Sequence, residues 1–233
     1  MTNIVMLIGP GRYRLTQQAL ESLGAHTDRS SISLTLVLDE VDFRTEYCCK
    51  NVIDFVNGWP QATMLKVSRS GHTLSQLKNI GVAWSEQRFG RGDWLYISDS
   101  DVYFTDGWLE KLTAFAESTE SDDYRLWGGQ IHPFHASGVQ VNGKAYLQVL
   151  DGPSWLMRWG GWDHWGPFDR TTAPGVCQSE EYPFCERLLN SHGRIGVIHP
   201  HCVFHCGITN SNGHPAPGWE ERLKGKPEGV LYE

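Results

Sequence analysis

The chain has 233 residues, 27 acidic and 20 basic side chains, and a formal net charge of −7. An acidic chain lacks the broad Lys and Arg surface that binds nucleic-acid phosphates, so a nucleic-acid-coating protein is excluded and only a local basic groove stays open. The length suits one compact domain. With no long apolar run and no export signal after Met1, we expect a soluble protein of the cytoplasm, in a bacterium or a virus-infected host cell.

The first half of the chain alternates apolar, strand-like runs with amphipathic helical segments. After residue 12, for example, Leu15, Ala19 and Leu23 recur at helical spacing and form one apolar face. In chain order the predicted elements are strand 3–8, helix 12–23, strand 32–38, helix 45–57, strand 63–67, helix 74–85 and a strand that ends at Asp99. This alternation predicts an α/β fold with a mixed, mainly parallel sheet flanked by helices. Ligands of such sheets bind at the carboxyl ends of the strands.

The second half has a different pattern, with shorter strands and a Trp-rich segment. The predicted elements are strands 127–131 and 145–150 with a turn near Asn142-Gly143, a Trp-rich loop over 155–169, helix 179–189, strand 194–198 and a His-rich segment over 199–207. We expect a single domain over residues 1–210, with halves 1–104 and 105–210, followed by a loop or tail over 211–233.

An apolar strand leads directly into the sequence Asp99-Ser100-Asp101. Because side chains alternate between the two sides of a strand, both carboxylates leave its end on the same side, close enough to serve one divalent cation. An Asp-x-Asp pair alone is common in surface turns. The apolar strand before it and the run Val102-Tyr103-Phe104 after it favour a metal site of the kind that holds a metal diphosphate.

The order of these landmarks resembles that of the GT-A glycosyltransferases, most closely the inverting, family-2-like branch that lacks membrane segments. The matching positions are Gly9 in the loop after the first strand, Asp39 after the second, Lys78-Asn79 on a helix, Asp99-Ser100-Asp101, Glu180-Glu181 with Arg187, and His205 after a late strand. Two positions depart from the family. Glu181 stands where Asp is usual, and Gly9-Pro10-Gly11-Arg12 replaces the usual first loop.

This resemblance implies a GT-A type, Rossmann-like fold and the transfer of a sugar from a nucleotide sugar, most often a UDP-sugar, with Mn²⁺ or Mg²⁺ as cofactor. The residues implied for the donor are Gly9, Asp39, Lys78 and Asp99, and those for the metal are Asp99, Asp101 and His205. Arg69, in the loop before Lys78, would add positive charge beside the diphosphate. Glu181 would be the base that deprotonates the acceptor hydroxyl, with Glu180 orienting the acceptor or exchanging roles with it.

The acceptor is predicted from the Trp-rich segment. Flat faces that stack on a sugar ring or on an unstacked base are offered by Trp155, Trp159, Trp162 and Trp165. Aromatic side chains also fill protein cores, so we expect about half of the four to be structural. The acceptor hydroxyl would belong to a glycan or to a hydroxymethylated pyrimidine flipped out of viral DNA. Two other functions stay open: a retaining GT-A glycosyltransferase, and a non-catalytic carbohydrate-binding protein on the same fold.

The six cysteines include no Cys-x-x-Cys pair, which favours reduced thiols. His199, His201 and His205 lie near Cys202 and Cys206 and suggest zinc. Their spacing matches no standard structural zinc site, so the single metal-ligand role of His205 is preferred.

Overall fold

The computed structural model describes the chain in segments, namely residues 1–9, 12–40, 55, 57–68, 72–130, 140–141, 144–145, 150, 154–169, 181–207 and 227–232. The strands are β1 (Thr2–Ile8), β2 (Ile32–Glu40), β3 (Ala62–Ser68), β4 (Trp94–Asp99), β5 (Val102–Phe104), β6 (Tyr124–Gly128), β7 (Gln140–Val141), β8 (Lys144–Ala145), β9 (Ser154–Arg158), β10 (Arg194–Val197) and β11 (Val203–His205). The α-helices are α1 (Tyr13–His26), α2 (Leu74–Phe89), α3 (Trp108–Thr119), α4 (Trp159–Trp165) and α5 (Glu181–Asn190).

One sheet of nine strands contains strands from both predicted halves of the chain, in the order β3-β2-β1-β4-β9-β6-β10-β7-β8. Strands β3, β2, β1 and β4 run parallel to one another. Strand β9 pairs antiparallel with both β4 and β6, and β10 runs parallel to β6 and β7. Strands β5 and β11 form a separate antiparallel ribbon. The sheet is therefore mixed and mainly parallel, as the sequence predicts.

Side chains of the central strands fill a core on each face of the sheet. In β1, Ile4, Met6 and Ile8 join the core that contains α1 and α3, whereas Val5 and Leu7 join the core that contains α2 and α5. These side chains are at most 5% exposed. Burial on both faces is typical of parallel sheets that helices cover on both sides.

The local sequence sets the bounds of α2, the helix that carries Lys78. The Thr73 hydroxyl accepts from the Gln76 N–H, and the Gln76 side chain accepts from the Thr73 N–H at 2.9 Å, so the two residues form a capping box. Gly90 ends the helix at a φ of +73°, a left-handed conformation that favours glycine. The position of Lys78 is therefore fixed by caps at both ends of its helix.

To within two residues, the structure confirms the described strands of the first half, helix 179–189 as α5 and strand 194–198 as β10. It corrects the rest of the second half. Helix α3 and strand β9 have no counterpart among the predicted elements. The predicted loop over 155–169 is wrong, because most of this segment forms β9 and α4. The predicted pairing of strands 127–131 and 145–150 is wrong, because β6 ends at Gly128 and pairs with β9 and β10. The described part of the second predicted strand, in β8, pairs antiparallel with β7 instead. Most of helix 45–57 and residues 146–149 lie outside the described residues.

Part of the predicted tail packs against the body of the protein. Val230 is buried with Leu15 and Cys206. The Leu231 backbone exchanges two hydrogen bonds with the Gln18 side chain on α1. Among the helices that the structure describes, none has both the length and the apolar character needed to cross a membrane.

Candidate active site

The turn after β4 and the ribbon of β5 and β11 bring Asp101 and His205 together. Strand β4 ends at Asp99, and β5 begins at Val102, directly after Asp101. In the ribbon His205 pairs with Val102, and the Cys206 N–H donates to the Asp101 carbonyl oxygen at 2.7 Å. As a result His205 Nε2 lies 3.1 Å from Asp101 Oδ2. Two residues that are distant in sequence thus share one site at the carboxyl end of β4.

The Asp101 carboxylate is almost fully buried, and its hydrogen bonds are incomplete. The side chain is 7% exposed. Its Oδ2 contacts the Arg12 guanidinium as well as the His205 ring. Within the part of the chain that the structure describes, Oδ1 is buried and has no hydrogen-bond partner. A buried carboxylate oxygen costs free energy unless a donor or a cation lies against it, so Oδ1 marks a place for a ligand.

Gly207 lets these groups lie directly against its backbone. A Cβ built at Gly207 would collide with the Arg12 guanidinium and the Asp101 carboxylate, and would lie 3.0 Å from His205 Nε2. The place that a side chain would take is therefore filled by the guanidinium and the carboxylate, beside an imidazole nitrogen. Mn²⁺ accepts both kinds of ligand, and Mg²⁺ prefers the oxygen.

A second polar pair, formed by Lys78 and Asp99, lies at the end of β4. Lys78 Nζ is 3.3 Å from Asp99 Oδ1, and the two side chains are 3% and 34% exposed. Lys78 Nζ also lies 5.9 Å from the centroid of the Phe168 ring. The fold thus buries a positive charge while its carboxylate partner stays accessible from solvent.

The three predicted metal ligands are only partly brought together. Asp101 and His205 are in contact, whereas Asp99 pairs with Lys78. Across the described ranges, no group of three or more His, Cys, Asp or Glu side chains is arranged to hold a metal ion. Two adjacent candidate ligands remain, and a cation that prefers oxygen would complete its coordination with oxygens of a bound diphosphate and with water.

Several predicted site residues have side chains outside the described part of the chain. They are Asp39, Arg69, Glu180 and Glu181. The backbone places Asp39 in β2 opposite Val67 of β3, and Glu181 at the first residue of α5. Gly9 directly follows β1. The functional roles predicted for these residues stay predictions.

The predicted acceptor platform is wrong for three of its four Trp side chains. Those three are Trp155, Trp159 and Trp165, which are 1%, 5% and 8% exposed. Trp155 packs against Phe168, and the indole N–H groups of Trp159 and Trp165 donate to other side chains of the protein at 2.9 and 2.7 Å. They are buried because β9 lies inside the sheet and α4 packs on the same core. Trp162 is only partly buried and also lies against Phe168.

Three residues contact the candidate site although the sequence predicted no functional role for them. They are Arg12, Asn79 and Arg187. The Asn79 side chain forms two hydrogen bonds of 2.9 Å with the Phe168 backbone. Arg187 donates to the Trp165 and Pro167 carbonyls at 2.8 and 2.9 Å. Asn79 and Arg187 therefore hold segment 165–169 between α2 and α5, beside Lys78. One feature of the sequence could have indicated Arg12, because it is a cationic residue directly after the Gly-rich loop that follows β1.

The cysteine thiols of the His-rich segment are part of the packing. Cys202 and Cys206 are free and buried, and burial raises the pKa of each thiol to about 12. Both are therefore protonated at neutral pH. This favours packing over zinc binding for the two cysteines.

No protein-family model and no curated protein matches the sequence, but solved structures match the fold. Residues 1–349 of S. aureus TarS match with a TM-score of 0.64 and 14% identity, over 87% of this chain and 59% of that chain. GalNAc-T7, solved with UDP, GalNAc and Mn²⁺, matches with a TM-score of 0.62 and 14% identity, over 85% and 44%. The mannosyltransferase PcManGT of Pyrobaculum calidifontis, solved with GDP-Man and Mn²⁺, matches with a TM-score of 0.60 and 9% identity, over 85% and 54%.

These likenesses show that the chain has the α/β fold of GT-A glycosyltransferases. TarS has also been solved with UDP-GlcNAc. The chain spans between 44% and 59% of the length of the three compared chains, so their activities and ligands do not transfer to it with the fold.

Proposed function

We propose that this chain is a metal-dependent glycosyltransferase that moves a sugar from a nucleotide-sugar donor to an acceptor hydroxyl. The observation that carries the proposal is the contact between the buried Asp101 and His205 at the carboxyl end of β4, in a GT-A type fold. Ligands of open α/β sheets bind at this edge. The Oδ1 atom of Asp101, buried and without a hydrogen-bond partner among the described residues, supports a cation at this position.

Asp101 and His205 would hold Mn²⁺ or Mg²⁺ at this edge of the sheet. When bound, such an ion supplies positive charge against the leaving diphosphate. Lys78 adds a fixed positive charge nearby, because it is buried and held by Asp99. Phe168 covers this ammonium group, and a charge shielded from water acts more strongly on a bound anion.

We propose a UDP-sugar as the donor. Among the compared proteins, TarS was solved with UDP-GlcNAc and GalNAc-T7 with UDP, whereas PcManGT was solved with GDP-Man. In this chain the strand ends that would receive the nucleotide are adjacent, since Ile8 pairs with Leu38 and Glu40 pairs with Ser68. Gly9, Asp39 and Arg69 belong to or follow these strand ends in sequence. This supports their proposed roles at the nucleotide and the diphosphate.

We propose an inverting reaction with Glu181 as the general base. Inversion needs one base on the face opposite the leaving group and no covalent intermediate. Glu181 opens α5, and α5 is tied through Arg187 to the segment beside Lys78, which supports a position close to the donor. Glu180 would orient the acceptor or exchange roles with Glu181. In the retaining alternative both Glu residues only position the acceptor, and the anomeric configuration of the product distinguishes the two reactions.

The acceptor is proposed to be a hydroxyl of a glycan or of a hydroxymethylated pyrimidine in viral DNA. The burial of Trp155, Trp159 and Trp165 removes most of the aromatic platform on which a non-catalytic carbohydrate-binding function would depend. It also leaves only Trp162 of the four as a candidate acceptor contact.

The test is release of nucleoside diphosphate from UDP-sugars and GDP-sugars in the presence of MnCl₂. Each donor is tried with glycan acceptors and with hydroxymethylated DNA. We expect Mn²⁺-dependent release that one class of acceptor stimulates, and a loss of about 100-fold in the Asp101→Asn variant. Glu181→Gln is expected to lose turnover and to retain binding of the nucleotide.

The matched control is Asp106→Asn, which removes the same charge from a side chain that is 98% exposed. This control is expected to release nucleoside diphosphate at the wild-type rate. No release from any donor, together with no binding of UDP or GDP, would refute the proposed function.

A further inference from the structure

Arg12 occupies the carboxylate that the proposed metal ion needs. Its guanidinium contacts Asp101 Oδ2, the same oxygen that lies 3.1 Å from His205 Nε2. We infer that Arg12 is an internal substitute for the metal, which neutralises Asp101 in the metal-free protein and must be displaced when a divalent cation binds. This inference rests on the proposed metal-dependent function.

The burial of Asp101 explains why a substitute is needed. A carboxylate that is 7% exposed is stable as an anion only beside a compensating charge. A guanidinium is a permanent cation in proteins and suits a carboxylate through its planar set of donors. Arg12 therefore supplies the dependable positive charge at Asp101 in the metal-free protein.

The position of Arg12 allows its side chain to leave. The residue precedes α1, where its carbonyl accepts from the Thr16 N–H at 2.9 Å, so the backbone stays anchored in the first turn of the helix. Its side chain contacts the buried Asp101 and is itself 36% exposed. Movement of the guanidinium into solvent therefore leaves α1 intact and uncovers little of the core.

Arg12 and a divalent cation exclude each other at Asp101. A dication held by Asp101 and His205 would lie against the guanidinium, and like charges repel strongly where water is excluded. The volume beside Gly207 is filled by the Arg12 guanidinium, so a metal ion could use it only after the guanidinium has moved. The affinity of the metal-free protein for a cation is reduced by the fraction of molecules in which Arg12 holds Asp101.

Displacement of Arg12 also couples the metal to the donor. Arg12 lies at the carboxyl end of β1, beside the end of β4, since Leu7 pairs with Asp99. A guanidinium released there is placed to bind phosphate oxygens, for which its planar donors are suited. Binding of the metal and of the diphosphate would thus favour each other.

The experiment measures Mn²⁺ binding without nucleotide, from the electron paramagnetic resonance signal of the free ion. The proteins compared are wild type, Arg12→Met, Arg14→Met and Asp101→Asn. We expect Arg12→Met to bind Mn²⁺ about tenfold or more tightly than wild type. Arg14→Met makes the same change of charge two residues later on an exposed side chain, and is expected to bind like wild type. Asp101→Asn is expected to lose binding.

The melting temperature, Tm, tests the role of Arg12 at Asp101 without a measurement of Mn²⁺ affinity. Without metal, Arg12→Met leaves the buried Asp101 without its guanidinium partner, so its Tm is expected to lie below that of wild type. Added Mn²⁺ is expected to raise the Tm of Arg12→Met more than that of wild type.

The outcomes separate the inference from the proposed function. If Asp101→Asn loses Mn²⁺ binding while Arg12→Met binds no more tightly than wild type, the inference is wrong and the metal site stands. If Asp101→Asn binds Mn²⁺ like wild type, the metal site itself is wrong and the inference falls with it. The metal site is also wrong, and the inference with it, if neither wild type nor Arg12→Met binds Mn²⁺ in the presence of UDP or GDP.

Discussion

Single residues around Asp101 determine what its carboxylate can bind. Arg12 and His205 contact one oxygen, the second oxygen is buried, and Gly207 has no side chain that would push these groups apart. Each of these features depends on the type of one side chain. The site is therefore sensitive to changes as small as one methyl group.

Gly207→Ala is expected to weaken Mn²⁺ binding by about tenfold or more, which corresponds to roughly 1.4 kcal/mol. The added Cβ would collide with the Asp101 carboxylate and lie 3.0 Å from His205 Nε2, so it would disturb both candidate metal ligands whether or not Arg12 has moved. The backbone of Gly207 is not in the left-handed region, so the alanine adds bulk and no backbone strain. Titration with MnCl₂ measures the effect. Gly160→Ala, where a Cβ meets no described atom within 4 Å, is the control, and equal affinities for the two variants would contradict the proposed location of the ion.

The packing of individual elements holds these residues in place. Helix α2 carries Lys78 and lies close to β1 and β2, because Gly81 faces the sheet without a side chain. A Cβ at Gly81 would lie 2.5 Å from Val37 Cγ2 and 2.7 Å from Val5 Cγ1, both in the core. The distance between this helix and the sheet is therefore set by one glycine.

Gly81→Ala is expected to lower the free energy of unfolding by about 1–2 kcal/mol. Overpacking of a core costs about 1–3 kcal/mol, which exceeds the gain of about 1 kcal/mol in helix propensity when Ala replaces Gly. Gly160→Ala makes the same substitution in α4, at an exposed position with open space around it, and is expected to gain about 0.5–1 kcal/mol. Urea denaturation of both variants measures the difference. A Gly81→Ala protein as stable as Gly160→Ala would show that α2 can move away from the sheet at no cost.

The segment before β11 is expected to make the stability of the protein dependent on pH. Burial, and to a lesser extent the charge of the neighbouring His199, lower the pKa of His201 to about 4. In the unfolded chain the same group titrates near pH 6.5, so the unfolded state binds more protons as the pH falls from about 7 toward 4. Stability is therefore lost with falling pH across this window, by about 1–2 kcal/mol between pH 7 and pH 5.

Urea denaturation at pH 7 and pH 5 tests this expectation in wild type and in His201→Gln. The variant has no titrating group at position 201, so it should lose less stability than wild type between the two pH values. An equal loss in both proteins would assign the pH dependence to other groups. His199→Gln removes only the smaller of the two effects on the pKa of His201, so this variant is expected to keep most of the pH dependence of wild type.

Across the whole molecule, local patterns could be predicted from the sequence and long-range pairings could not. The first four strands of the sheet follow from short apolar runs, and the pair of Asp101 and His205 follows from motif order. The burial of Trp155 does not follow from the sequence. Strand β9 lies between β4 and β6 in the sheet, and pairing between strands distant in sequence produces no periodic pattern of residues. The contact of Arg12 with Asp101 likewise depends on the pairing of β1 with β4. Residue types therefore indicated the chemistry proposed for the candidate site, whereas the topology of the sheet decides which side chains lie there.

Hydrogen bonds to Gln18 hold the last described segment of the chain against the rest of the protein. The Gln18 side chain donates to the Leu231 carbonyl at 3.1 Å and accepts from the Leu231 N–H at 2.6 Å, across a separation of 213 residues. These bonds hold Val230 over Leu15 and Cys206, directly after the candidate metal ligand His205. Gln18→Ala is expected to lower the free energy of unfolding by about 1–3 kcal/mol, since each lost hydrogen bond contributes about 1 kcal/mol.

Gln17→Ala is the matched control for Gln18→Ala. The Gln17 side chain is exposed and donates within α1 to Glu21, so its loss is expected to change stability by no more than about 0.5 kcal/mol. Amide hydrogen exchange of residues 227–232 completes the test, because faster exchange in Gln18→Ala alone would show that this segment detaches. If both variants exchange like wild type, apolar packing of Val230 holds the segment without help from Gln18. In that case Cys206, which directly follows His205 at the end of β11, is kept covered by the hydrophobic contact and not by the two hydrogen bonds.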